Sequence, residues 1–386
     1  MLKRNLRKAV LLSGLLILSA ISREASAEVT LLKQNRQDPD WLSRLNLSVW
    51  GSIRPQFFDV MGDGDRGSYK RNGFDNGDNG TRIGITADYY LKDGISWYNY
   101  YEFNFNLPAT TKWRHHYDNS DSWTSRRQLY TGLKSDELGT LTIGKQTSVY
   151  YDVVGSKTDL WDDDMFGQAT GVGVNGDRDG SYRPSRQLKF KNSYGKADLY
   201  AGWLFPDSEY LPGDGTHYRR RGGGSLGIDY HITPTLTWGV AWNETRATIK
   251  HPGIGDDRKY NQHIVGTGVS WAPDNWTFAL SGGWYNNFLP TGSDSTRHYF
   301  AGDGWGTEYY ASYTFLIQRL GISSIQPFFM GDRLQYTSGK SYKRIDNGLG
   351  ILLAFDHGFS VDFEHMFTSS TDHIGDANLV RLSYDF

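Results

Sequence analysis

From Glu28 onward the chain alternates, residue by residue, between side chains that avoid water and side chains that accept it. Leu236, Trp238, Val240 and Trp242 are separated by Thr237, Gly239 and Ala241, and Trp276, Phe278 and Leu280 by Thr277 and Ala279. Leu349, Ile351, Leu353 and Phe355 alternate with Gly350, Leu352 and Ala354. The chain ends on Val380, Leu382, Tyr384 and Phe386, interleaved with Arg381, Ser383 and Asp385. A period of two places alternate residues on opposite faces of a strand. Helical patterning is scarce, so the expected class is all-β.

The connections supply the topology. Short turn clusters fall at 92–94, 135–139, 193–196, 233–235, 272–275, 318–321 and 356–358. Between them lie longer polar stretches at about 61–79, 107–123, 147–182, 206–217, 244–258, 287–304, 334–341 and 370–376. Short and long alternate strictly, and the fifteen connections imply sixteen antiparallel strands. Short turns at one end and long loops at the other are the plan of a transmembrane β-barrel, with short periplasmic turns and long extracellular loops. Closure removes the exposed edges of so long a meander. An exported β-sandwich or propeller is the soluble alternative, but the 25 Tyr, 19 Phe and 13 Trp suit lipid-facing girdles better.

Composition closes other routes. Without cysteine there is no disulfide framework and no thiolate metal site. A formal net charge of −2 argues against a general nucleic-acid binder. Residues 1–27 read as a cleaved signal peptide: Lys3, Arg4, Arg7 and Lys8, then an apolar run from Ala9 to Ile21, then Ala25-Ser26-Ala27. That run is too short for a spanning anchor. Residues 28–386 then form one exported barrel domain.

Strand parity assigns faces. Ile83, Ile85 and Ala87 point to lipid, so Arg82, Thr86 and Asp88 point into the lumen. An Arg on the lipid face near the midplane costs about 2–4 kcal/mol. Arg54 and Arg127 are placed inward on the same ground, Arg127 by alternation with Gln128 and Tyr130. The long connection 147–182 carries Asp159 and Asp162-Asp163-Asp164 among Leu160, Trp161, Met165 and Phe166. A loop of that length in a barrel usually has a job. Its mixed acidic and aromatic character suggests a loop folded inward, with carboxylates facing Arg54, Arg82 and Arg127. Opposed charges across a narrow aperture orient water and disfavour apolar solutes.

Thr81-Arg82-Ile83-Gly84, Arg127 to Lys134, Leu138 to Gln146, the loop beginning near Tyr151-Asp152, Phe190 to Ser193 and the terminal Phe386 together resemble the trimeric general-diffusion porins of Gram-negative outer membranes. The resemblance implies a third loop that forms a constriction at about 147–182. Carried over by position, the basic side is Arg54, Arg82, Arg127 and Arg183, and the acidic side Asp159 and Asp163. The family's Pro-Glu-Phe-Gly-Gly stretch is replaced here by Asp162-Asp163-Asp164-Met165-Phe166-Gly167. Ser52 competes with Arg54 for the first-strand position, and Arg186 or Lys189 with Arg183.

The function so implied is passive diffusion of small hydrophilic solutes and ions through the outer membrane, with no cofactor. Implied partners are outer-membrane lipid and lipopolysaccharide, the barrel-assembly machinery through Phe386, and two further copies in a homotrimer. The rival is a solute-specific porin for oligosaccharides or another nutrient, with inward Tyr98 and Tyr100 beside Glu102 as part of a stacking track. Other signals are weaker. Asn175 to Gly180 imitates half a calcium loop, but Arg186 stands where the bidentate Glu belongs. The 61–80 segment reads as an exterior loop, His115-His116 as solvated, and Tyr218-Arg219-Arg220-Arg221 as a solvated basic run. Ser370, Thr371, Asp372 and His373 hold the residue types of a hydrolase, but adjacency is not triad geometry, and neither an enzyme nor a nucleophile elbow is expected.

Overall fold

The computed structural model describes residues 28–38, 40–60, 75–78, 80–107, 124–162, 166–172, 176–213, 215–250, 258–288, 302–338, 341–371 and 373–386. The expected signal peptide (1–27), Asp163, His115-His116 and most of the 61–79 and 107–123 loops lie outside the described residues.

The segments are β1 (Val29–Leu32), β2 (Leu45–Ile53), β3 (Pro55–Val60), β4 (Asp75–Asp78), β5 (Arg82–Lys92), β6 (Ile95–Phe105), β7 (Thr124–Ser135), β8 (Gly139–Lys145), β9 (Gln187–Tyr194) and β10 (Ala197–Leu204). They continue as β11 (Tyr210–Gly213), β12 (Thr216–Thr233), β13 (Leu236–Lys250), β14 (Arg258–Trp271), β15 (Trp276–Phe288) and β16 (Gly302–Tyr313). The last are β17 (Phe315–Arg319), β18 (Ile322–Tyr336), β19 (Lys343–Phe355), β20 (Phe359–Ser370) and β21 (Ala377–Asp385). Four barrel strands are interrupted. β3 follows β2 across Arg54, β5 follows β4, and β11 and β17 extend the lines of β10 and β16 against β12 and β18. Joined this way, and with β1 counted as the continuation of β21 along the edge of β2, the segments make sixteen antiparallel barrel strands.

Closure falls where the chain ends meet. β21 pairs with β3 and then with β2 through Ser52 and Asp385, and Gly51 and Phe386 exchange backbone hydrogen bonds of 2.7 and 2.9 Å. β1 pairs with the lower half of β2, Val29 opposite Val49. Glu28 therefore follows Phe386 along one line of the wall, as though the two ends were one strand. Gly51 leaves the notch for the terminal ring: a Cβ there would come within 2.8 Å of Phe386 Cε1.

The faces are those of a barrel in lipid. Trp238, Trp276, Leu280, Leu349, Phe363 and Leu382 are exposed on the outside. Ser52, Arg82, Glu102, Asn243, Glu308, Asp332 and Arg381 are buried on the inside. The short connections fall where the turn residues place them. Several strands run further than expected at the opposite end: β13 reaches Lys250, inside the stretch read as a loop from 244, and β18 reaches Tyr336. Above the hydrocarbon the outward face becomes polar, so alternation fades while ladder hydrogen bonds continue.

Candidate functional site: the loop inside the barrel

The segment between β8 and β9 turns into the lumen. Ser148 caps its short helix, Val149–Val153, accepting from Tyr151 N–H at 3.0 Å. Val149, Tyr150, Val153 and Val154 are fully buried, although the barrel around them is polar. They are buried because the wall beneath them lacks side chains. A Cβ on Gly227 would lie 2.8 Å from Val149 Cγ1 and 2.9 Å from Val153 Cγ2. One on Gly239 would lie 2.6 Å from the Val153 carbonyl oxygen, and one on Gly266 2.7 Å from Tyr150 Cε2. On β16, a Cβ at Gly306 would overlap the carbonyl of Gly167. Inward glycines on successive strands thus form a trough for the loop, a feature the sequence reading missed.

Polar bonds hold the rest of the loop. Lys157 Nζ donates to Asp229 at 2.8 Å and Thr237 at 3.2 Å, and Thr158 Oγ1 donates to Glu308 at 2.7 Å. Tyr285 donates to the Gly167 carbonyl at 2.7 Å, and Trp161 stacks on Tyr310 with 6.2 Å between centroids. Asp162 crosses to the closing strands: its N–H donates to Glu364 at 3.0 Å, and its carboxylate pairs with Arg381. Asp162, Asp362 and Glu364 offer oxygens within 4.8 Å of one another, the geometry of a cation site. Arg381 already serves this cluster, with Asp362 at 3.7 Å, so it reads as the loop's anchor.

Across the lumen, arginines gather where β2, β5 and β7 pass Gly80. A Cβ at Gly80 would stand 3.4 Å from Arg127 Nη1 and 3.6 Å from Arg82 Nη1, so the two guanidiniums converge there. Arg127 arrives by a device that simple alternation does not foresee. Glu102 pairs with Gln128 and Phe103 with Arg126, which leaves Arg127 as the extra residue of a bulge. Gln128 and Tyr130 share the inner face, Gln128 donating to Glu102 at 3.0 Å and Tyr130 stacking on Tyr100. Arg127 turns to the same side and pairs with Glu102, which is 3% exposed. Arg54 stands beside this group, its N–H on Thr81 Oγ1 at 2.8 Å and its Nε on Ser52 at 2.6 Å.

The remaining residues divide. Arg183 lies 3.9 Å over the ring of Tyr182 and 3.7 Å from Asp177, which also holds Lys145 at 2.6 Å. Lys189 pairs with Asp152 at 2.6 Å, and Arg186 is largely exposed beside Asp207. Asp159 accepts from the Tyr151 hydroxyl at 2.5 Å. The pairings of Lys145, Asp152 and Asp177 escaped the sequence reading, and Glu102 was read only as a neighbour of Tyr98 and Tyr100, because each pairing is defined by a partner on another strand or loop. Gly223-Gly224-Ser225-Leu226-Gly227 does match the Gly-x-Ser-x-Gly pattern, contrary to expectation. It runs within β12, with no strand-to-helix turn to expose Ser225, and is no nucleophile elbow.

Asp179, at the loop's far end, is fully buried, accepting from Ser181 N–H at 2.9 Å and from Gln262 at 3.3 Å. Burial pushes its pKa up to about 6; the Ser181 and Gln262 bonds and the Arg220 charge pull the other way. A folded-state value above the unfolded one (about 3.9) stabilises the fold below pH 4, and that contribution is lost as pH rises through 6. Protease cleavage within 147–182 is therefore expected to be slower at pH 5 than at pH 8. Asp179→Asn should narrow the difference, and an unchanged pH dependence would refute the assignment.

A closed antiparallel barrel, apolar outside and polar inside, with a loop packed within its lumen, defines an outer-membrane channel protein. Residues 14–315 match the Gram-negative porin family, and the chain belongs to it. Members of that family are channels and not enzymes. Among solved structures, the chain is similar to Salmonella typhi OmpF in complex with daunomycin, at 14% identity and a TM-score of 0.65, covering 89% of this chain and 98% of that one. It is also similar to the outer membrane channel DcaP of Acinetobacter baumannii (12% identity, TM-score 0.62, 92% and 100% covered). An anion-selective porin from Comamonas acidovorans shares the fold at 13% identity and a TM-score of 0.61, covering 89% and 100%. A search of curated proteins found no match.

Proposed function

We propose that the channel passes small hydrophilic solutes and ions by passive diffusion, and that the inward loop makes its charge and size filter. The observation that carries this reading is the docking of Val149–Val154 into the glycine trough, opposite the wall where Arg82 and Arg127 converge. In this reading Arg54, Arg82, Arg127 and Arg183 form the basic side, and Asp159 and Asp163 the acidic side. Lys145 and Lys189 extend the basic side toward the loop. The working unit is a homotrimer, as is typical of the family. Residues 1–27 are removed on export, a step supported by the position of Glu28 directly beyond Phe386 in the wall. Liposome swelling tests the filter: uptake should fall smoothly with solute size across mono-, di- and trisaccharides. Rates independent of size, or no swelling by folded protein, would contradict it.

One observation favours the solute-specific reading as a second. Below the arginines, Trp50, Tyr100, Tyr130 and Tyr98 form a chain of ring contacts with centroids 6.2, 5.0 and 5.9 Å apart, ending where Lys134 Nζ lies 3.5 Å over Tyr98. Such a ladder can stack against sugar rings. Saturable block of the current by one class of oligosaccharide would promote it; indifference to all of them would remove it.

A further inference from the structure

We propose that the hairpin of β17 and β18 presents an open sheet edge that takes up an extended segment of another periplasmic protein as an added strand. The connection at 318–321 is short, which puts the hairpin at the periplasmic end of the barrel. At three other short turns the incoming strand stops within three residues of its neighbour's turn. His231 N–H donates to the Lys196 carbonyl, Ala272 N–H to that of Thr235 and Asp356 N–H to that of Gly321, and each chain then turns. Thr314 N–H makes the corresponding bond to Asn275 at 2.8 Å, yet the chain runs on through Phe315–Arg319 to Leu320.

One side of this hairpin is covered, because β18 pairs with β19, Ile322 opposite Phe355 and Ser324 opposite Ala354. The other side is open. β17 meets β18 through Phe315 with Ile325, Leu316 with Ser324 and Arg319 with Ile322, and no strand among the described residues pairs with its second edge. Backbone groups alternate along an antiparallel strand. Leu316 therefore directs its N–H and C=O to the side already used by the Thr314 N–H, which is the open one. The side chains around them are apolar and exposed: Phe315, Ile317, Leu316 at 66% and Leu320 at 89%. Phe315 closes the outward aromatic row, 4.6 Å from Tyr313, which lies 4.8 Å from Trp276. Leu316, of opposite parity, faces the mouth of the channel.

An exposed hydrophobic edge of this kind is a template for strand addition. Lipid can cover Phe315 and Ile317, but it has no backbone to offer Leu316. A second barrel cannot reach the edge either. The edge points along the wall, beneath the 272–275 turn of its own molecule, so a neighbour presenting its own β17 would have to put its wall where β15 already stands. A flexible segment from the periplasm meets no such obstacle. The two ends of the edge set its charge, with exposed Asp274 at the turn above and exposed Arg319 at the tip below. An antiparallel segment therefore carries a carboxylate near its N-terminal end, a cation near its C-terminal end and apolar residues between them.

The test uses the full mature protein in lipid nanodiscs, with amide hydrogen exchange of the hairpin read by mass spectrometry. The probe is a synthetic peptide of about eight residues, alternating valine and threonine, with glutamate near its N-terminus and lysine near its C-terminus. Saturating peptide should slow exchange across 315–320. A twin N-methylated at alternate residues should bind about tenfold more weakly, the equivalent of one or two hydrogen bonds. Leu316→Pro keeps the ladder to β18, because the N–H it removes is the one on the open edge. Its affinity for the peptide should also fall about tenfold, with single-channel conductance unchanged. Arg319→Glu leaves the backbone alone and should prefer a peptide with the two charges exchanged. Failure of the probe to bind, or equal affinity for the methylated twin or for Leu316→Pro, would overturn the proposal. Protection without peptide would overturn it too: appearing between detergent and nanodisc, it gives the edge to lipid, and growing with protein concentration, it gives the edge to a second copy.

Discussion

Filling the glycine trough is expected to disturb the channel more than any other neutral change of similar size. In Gly227→Leu/Gly239→Leu, the new side chains occupy the volume of Val149 and Val153, and at Gly239 the obstacle is backbone, the Val153 carbonyl. Overpacking of this kind costs about 1–3 kcal/mol per site when the structure can yield. Here it is the loop that yields, because the wall is held by ladder hydrogen bonds on both sides of β12 and β13. The loop moves toward the arginines and the aperture narrows. Single-channel conductance should fall by roughly half while circular dichroism shows the β-barrel still folded. Unchanged conductance would mean that the loop does not limit the current.

Removing charge from the arginine wall should change selectivity more than conductance. In Arg82→Gln/Arg127→Gln the lumen loses two cations, and the buried Glu102 carboxylate loses its ion-pair partner on β7. The reversal potential in a salt gradient should shift toward cation preference, with the permeability ratio moving severalfold. Asp159→Asn/Asp163→Asn should shift it the other way. Both shifts should shrink in concentrated salt, where the Debye length falls from about 10 Å at 0.1 M to about 3 Å at 1 M. Identical reversal potentials across the wild type and both variants at low salt would remove these residues from the filter.

Much of this architecture is legible in the chain because lipid on one face and water on the other impose a period of two. Leu236, Trp238, Val240 and Trp242 could be assigned outward from their neighbours alone, and the alternating turns and loops gave the strand count. The end of β13 was not legible: between Glu244 and Lys250 the outward face turns polar while Ala247 and Ile249 pack inward against Tyr218, so the alternation that marks a lipid-facing strand is inverted. Arg127 turns inward, but not by the alternation with Gln128 and Tyr130: a bulge, which carries no mark in composition, brings all three to the inner face. The trough was hidden because glycine looks like turn chemistry until Gly227, Gly239 and Gly266 are seen to share the inner parity of adjacent strands. That shared parity is the signal that could have found it. Asp162 reads as one of three equivalent carboxylates, and only its partner Arg381, 219 residues away, sets it apart as an anchor.

The central claim, an open channel throttled by an inward loop, is tested most directly by single-channel current of the refolded protein in a planar bilayer. The account predicts discrete ohmic steps that close in threes and shrink in Gly227→Leu/Gly239→Leu. Folded protein that inserts without any current would contradict it.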